Sequence, residues 1–176
     1  MHRFIALLFI VTFTLLACGS SGADNADAGA DAKSRTVIYF SRHAEKGGGQ
    51  DPDLLPAGRE RAERLGAYLA KQNIAAVYAT GYNRTRQTAA PAARAAGVEV
   101  TTYSAAGNAA KLTQDWVTKH RGETIFVVGH SNTVPGLVNA LVAKANYPDI
   151  DESDYDNLFR VVVGHNGKGK VRKVTY

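Results

Sequence analysis

Three short apolar runs punctuate the middle of this chain, and each stops at a polar cluster: TVIYFS at 36–41, IAAVYA at 74–79 and TIFVV at 124–128, with a further, more polar strand segment, VEVTTY, at 98–103. Runs of this length bounded by polar residues predict buried strands. The segments between them follow a helical period. After a Gly-rich loop at 44–55, Pro56 opens a predicted helix to about residue 72, with Ala62, Leu65, Gly66 and Leu69 on one face. Further helices are expected at about 84–96, stopped by Gly97, at about 108–120, stopped by Arg121-Gly122, and at about 133–143. Alternation of this kind predicts an α/β fold with a mostly parallel central sheet flanked by helices. Two more runs, 158–164 and 170–176, enclose HNGKG with Asn166-Gly167 at its tip, and predict a C-terminal hairpin.

The N-terminal pattern is different. Met1-His2-Arg3 is a short basic lead, and 4–17 is an almost unbroken apolar run, about the length of a secretory h-region and too short to span a bilayer comfortably. It ends in Leu15-Leu16-Ala17-Cys18-Gly19, which resembles the bacterial lipobox, in which the cysteine is acylated. Cys18 is the chain's single cysteine, so an internal disulfide is excluded. Residues 1–17 are therefore expected to be a lipoprotein signal peptide. Residues 18–35, rich in Ala, Gly, Asp and Ser, should form a flexible tether, and 36–176 one folded domain. This organisation predicts a lipid anchor at Cys18 and a location in the bacterial cell envelope, on a periplasmic or extracytoplasmic face.

Composition narrows the partners. With 45% hydrophobic residues, the 176-residue chain has enough apolar content for one core. Its formal net charge is +5, and the tether carries Asp24, Asp27 and Asp31, so the excess of positive charge lies in the domain. A basic domain suits nucleic acid, an anionic membrane or a phosphorylated substrate. The envelope signal argues against nucleic acid.

The chemistry gathers at the strand ends, where ligands bind in open α/β sheets. Arg42 and His43 follow the first strand, Arg84 and Arg86 follow the second, and His130 follows the fourth. An unprotonated imidazole can attack phosphorus, and arginine forks pair two phosphate oxygens at once. Arg42, His43, Arg84 and His130 are accordingly the expected phosphate site. Arg86, two residues from Arg84, should point elsewhere, and His2, His120 and His165 are expected to be structural or solvated. The acidic stretch 149–156 lacks calcium-loop spacing and is taken as a solvated loop, with bordering of the pocket as the lesser reading.

Together these motifs resemble the histidine phosphatase superfamily, the phosphoglycerate-mutase-like group. Its Arg-His-Gly motif corresponds to Arg42-His43-Ala44, its Arg-x-x-x-Thr-Ala helix start to 84–89, and its Gly-His to Gly129-His130. The resemblance implies that His43 is the phosphorylated nucleophile, with Arg42, Arg84 and His130 as the phosphate pocket. It also implies a contact from Lys46, where some members carry arginine. Leu55 stands where a Ser or Thr cap is more usual. The acid that protonates the leaving group in many members has no clear counterpart, and Glu45, Asp51 and Asp53 are the candidates, Glu45 first.

The implied function is a metal-independent phosphatase acting on phosphate monoesters, phosphohistidine or acyl phosphate, in a small molecule or a phosphoprotein. A tethered phosphate-binding module without turnover and a phosphomutase stay open as alternatives. Gly129-His130-Ser131 is not a nucleophile elbow, since position 133 is Thr. His43-Ala44-Glu45 has no Pro-Cys-x-x-Cys partner for a zinc deaminase. No HExxH, Walker or GxGxxG pattern occurs, so no cofactor is implied.

Overall fold

The computed structural model describes residues 35–176. The expected signal peptide, the expected lipidation site at Cys18 and all but the last residue of the expected tether lie outside the described residues.

The strands are β1 (Thr36–Arg42), β2 (Ile74–Thr80), β3 (Val100–Tyr103), β4 (Thr124–Gly129), β5 (Leu158–Val163) and β6 (Gly169–Val174). The helices are α1 (Pro56–Leu69), continued by a 3-10 turn at Ala70–Gln72, then α2 (Asn83–Ala96), α3 (Ala109–Lys119) and α4 (Val134–Leu141). They form one six-stranded sheet in the order β3-β2-β4-β1-β5-β6. The first four strands in that order run parallel, β5 is antiparallel to β1, and β6 pairs with β5 as the expected terminal hairpin.

The central strands are apolar throughout because both faces are covered. Ile38 and Phe40 of β1, with Ile125 and Val127 of β4, pack with Trp116 of α3 and Leu137 of α4. The intervening Tyr39, Phe126 and Val128 pack with Leu65 and Leu69 of α1 and Ala89 and Ala92 of α2. This is the period-two alternation of a strand between two helical layers.

Start signals behave as the sequence suggests. Pro56 opens α1 after Leu55, whose side chain makes no capping bond. Asn108 caps α3, its side chain accepting from the Lys111 amide, and Gly97 ends α2 in the left-handed conformation. Several elements are shorter than expected, β3 and α4 most clearly. β3 begins at Val100, since Gly97 and Val98 turn back to bond Ala93 and Arg94 carbonyls, and α4 stops at Leu141, where Val142 becomes extended.

Candidate active site

The pairing of β1 with β4 brings the two motif histidines together. In that parallel register Arg42 lies beside Gly129, so the next residue of each strand, His43 and His130, leaves the sheet at the same level. The His43 amide donates to the Gly129 carbonyl at 3.0 Å, and the two imidazole centroids are 5.6 Å apart. Gly129 itself has no room for a side chain: a Cβ would lie 2.9 Å from both Thr133 Oγ1 and the Tyr103 hydroxyl. On the other side of β4, β2 ends at Thr80, and α2 starts three residues later with Arg84 in its first turn.

The segment after His43 is fixed by the second motif. The Ala44 amide donates to Thr88 Oγ1 at 2.9 Å, and that hydroxyl donates to the Arg84 carbonyl at 2.7 Å. Ala44 is not among the described residues with positive φ, so a methyl in the usual glycine position is accommodated. The loop that follows folds back on itself through Leu55 N–H to Glu45 O and Gly47 N–H to Asp53 O.

Hydrogen bonding sets the tautomers. His43 Nδ1 is 2.8 Å from the Ala44 carbonyl, which can only accept, so Nδ1 carries the proton. The ring is 4% exposed, and burial pushes its pKa down to about 4, with Arg42, Arg84 and His130 adding to the depression and the Ala44 bond opposing it. Near neutral pH, Nε2 of His43 is therefore an unprotonated lone pair.

His130 is set by a chain of hydroxyls. Thr85 Oγ1 donates to the backbone carbonyls of Thr80 and Tyr82, so it accepts from Thr80 Oγ1 at 2.9 Å. With that proton committed, Thr80 Oγ1 accepts from His130 Nε2 at 2.8 Å. Burial also lowers the His130 pKa to about 4, helped by Arg84 and Arg42 and opposed by Glu152. Its remaining nitrogen, Nδ1, is left to receive a proton or meet a ligand.

A cavity of about 740 Å³ opens over these groups. Its walls include His43, Lys46, Tyr82, Arg84, His130 and Glu152. Arg84 lies against the Tyr82 ring, 4.3 Å from its centroid, and its Nη1 is 3.7 Å from the Asp51 carboxylate. Among the described residues, three buried side-chain polar atoms have no hydrogen-bond partner: Arg42 Nε, Arg84 Nε and Asn157 Nδ2. Two of these belong to the expected phosphate clamp. Unmet buried donors are costly, and here both belong to the arginines that flank the two histidines.

Arg42 is only 2% exposed, more enclosed than its proposed role suggests. Its Nη1 donates to the Asp151 carbonyl at 2.9 Å and, at 3.4 Å, to the Asp154 carbonyl, its Nη2 pairs with the Glu152 carboxylate, and Tyr155 lies 4.4 Å beneath it. The acidic stretch 149–156 thus borders the pocket, correcting the solvated-loop assignment: the buried guanidinium organises the loop around itself. The signal available in the sequence was the concentration of acidic residues just before the last hairpin, but nothing in its spacing gave an orientation.

Glu45 is placed differently from the expected acid. Both of its carboxylate oxygens accept from Arg61 of α1, at distances of 2.7 to 3.0 Å, and this pairing lowers its pKa. It is absent from the cavity wall, and a clasped, ionised carboxylate has no proton to give. Asp51 accepts from the Asn83 amide and Asp53 from the Gln87 side chain, both at the start of α2. Lys46 does line the cavity, as expected. The exposed Arg86 bonds the Asn83 side chain. His120 is a core residue between Tyr78 and Glu123. Thr80 and Tyr82, which sequence reasoning passed over, flank the second motif directly.

Among the described residues no group of three or more His, Cys, Asp or Glu is arranged to hold a metal ion. Residues 38–106 match the model of the histidine phosphatase superfamily (branch 1). No curated protein matches the chain. Among solved structures, it is similar to the protein histidine phosphatase SixA complexed with tungstate, at 16% identity and a TM-score of 0.66, covering 77% of this chain and 94% of that one. It is also similar to YhfR of Bacillus stearothermophilus, at 20% identity and a TM-score of 0.65, covering 78% and 96%. A mycobacterial glucosyl-3-phosphoglycerate phosphatase aligns at 12% identity and a TM-score of 0.61, over 81% and 98%. The family match over residues 38–106, the phosphoglycerate-mutase-like sheet and the two histidines at the ends of β1 and β4 make the chain similar to members of the histidine phosphatase superfamily.

Proposed function

We propose that this protein is a metal-independent phosphatase that works through a phosphohistidine on His43. One observation carries the reading: a buried imidazole with its lone pair on Nε2 stands beside two arginines whose Nε donors are unpartnered. The lone pair attacks phosphorus, the arginine forks and Lys46 balance the charge of the transferring group, and water then attacks the same phosphorus, breaking the N–P bond and freeing His43. His130 keeps the neighbouring wall in place through Thr80, and the arriving dianion draws a proton onto its Nδ1, which then donates to the phosphoryl group.

Phosphate monoesters, phosphohistidine and acyl phosphates all suit this chemistry, and the open cavity of about 740 Å³ accepts a small molecule or the side chain of a phosphoprotein. A binding module without turnover gains nothing from a depressed histidine pKa, because a charged imidazolium would hold phosphate better.

The same proposal includes the lipid anchor at Cys18 and a place in the cell envelope. Thr36 starts β1 at the end of the sheet opposite the site, roughly 20 Å from His43 at the usual rise per residue. A chain held from that end turns its cavity away from the membrane, which suits a water-borne substrate.

Hydrolysis of an aryl phosphate by the full chain, with EDTA present, tests the reading. Activity that survives EDTA and disappears in His43→Ala supports it. Retained phosphate binding without turnover favours the binding module, and transfer to a second acceptor in preference to water favours a phosphomutase.

A further inference from the structure

The proposed reaction needs a group to protonate the leaving oxygen, and Glu45 is held by Arg61. Two carboxylates line the cavity, Asp149 and Glu152. Only Glu152 is tied to the site's own charges: it pairs with Nη2 of Arg42 and accepts from the Ser131 hydroxyl. Its side chain is 74% exposed and therefore free to swing. Its backbone is not free. The Ile150 amide donates to the Ser131 carbonyl at 3.0 Å, and Arg42 Nη1 holds the Asp151 carbonyl.

Resting on the phosphatase reading, we propose that Glu152 is the catalytic acid and base, and that the arriving phosphoryl group arms it by taking its place on Arg42. The edge of a guanidinium that carries Nε and Nη2 binds two oxygens in parallel. On Arg42 that edge has an unpartnered Nε and an Nη2 engaged by Glu152. A phosphoryl dianion takes both donors and draws on Arg84 as well, so it displaces a monovalent carboxylate that uses one of them.

Displacement reverses the electrostatics of Glu152. With Arg42 and Ser131 as partners its pKa is lowered, the Ser131 bond contributing most. Once displaced it loses a cation and faces a dianion, and both changes favour the acid form, which Glu152 reaches by taking a proton from solvent. In the first step His43 Nε2 forms a bond to phosphorus while the ester P–O bond breaks, and the departing electron pair takes the proton of Glu152. In the second step water forms the new O–P bond, the N–P electron pair returns to His43, and Glu152 accepts the proton of the water. Phosphate leaves, Glu152 releases its proton to solvent and returns to Arg42.

The test is a series of phosphate monoesters with leaving groups from nitrophenol to simple alcohols, hydrolysed by the full-length wild type, Glu152→Gln, Glu152→Asp and Asp149→Asn. Because kcat/KM reports events up to leaving-group departure, the loss in Glu152→Gln should grow with leaving-group basicity, from about tenfold for nitrophenol to roughly a thousandfold for an alcohol. The alkaline limb of the wild-type kcat profile, which reports groups in the complex, should vanish in Glu152→Gln, and Glu152→Asp should recover part of the rate. An equal loss across all leaving groups, or the graded loss appearing in Asp149→Asn instead, overturns the role of Glu152 and leaves the phosphatase reading intact. A wild type that hydrolyses none of the series overturns both.

Discussion

Lowering the pH should destabilise this protein before its carboxylates titrate, through two histidines that are buried neutral. Unfolded, each imidazole titrates at its ordinary 6.5, whereas folded His43 and His130 both titrate at about 4. Between those values the unfolded chain binds more protons, so stability is full above about pH 6.5 and falls as the pH drops toward 4. His43 faces Arg42, Arg84 and His130, and His130 faces Arg84, Arg42 and Glu152, so the surrounding charge is mainly positive. From about pH 7 to about pH 5 the linkage amounts to about 2 kcal/mol per ring. Both rings border an open cavity, which roughly halves this, leaving about 2 kcal/mol for the pair. Urea unfolding at about pH 7 and about pH 5, where Cm follows stability at constant m, measures it. His43→Asn can keep a donor to the Ala44 carbonyl but cannot protonate, so it should show about half of the wild-type loss. Equal losses in wild type and variant, or a wild type more stable at the lower pH, would refute the argument.

Three further outcomes follow from the site. Phosphate or vanadate at about 100 times its Kd should stabilise the wild type by about 2.7 kcal/mol, a rise in Tm of several degrees, and Arg84→Met should remove most of that rise in a thermal melt. Thr80→Val breaks the hydroxyl chain to Thr85 and leaves the His130 Nε2 proton unpaired, costing about 1–3 kcal/mol by urea unfolding and reducing kcat. Gly129→Ala forces a methyl group to within 2.9 Å of Thr133 and Tyr103 and should cost about 1–3 kcal/mol, with a further loss of activity because the turn carries His130.

The layered fold was legible because its signals are local. Apolar runs, Pro56 and Gly97 mark element ends without reference to the rest of the chain, and the central strands differ from expectation by a residue or two. The histidines and Arg84 were legible because a motif at a strand end inherits its position from the sheet. That β4 rather than β2 lies next to β1 is a long-range pairing, and the contact between His43 and His130 depends on it. Glu45 shows the limit of adjacency: two residues past His43 the chain has turned, and its carboxylate meets α1. The acidic loop was the least legible part, because its placement depends on a buried guanidinium whose Nη1 seeks backbone carbonyls, an interaction that leaves no periodic trace in the sequence.

The central claim is a covalent phosphohistidine on His43, and the direct measurement is to trap it. The full-length protein is mixed with a phosphorylated substrate, quenched in alkali within one turnover, digested and examined by mass spectrometry. The account predicts one phosphoryl group on the peptide bearing His43, stable in alkali, lost in acid and absent from His43→Ala. Turnover with His43 unmodified at every quench time, or persistence of turnover in His43→Ala, would contradict it.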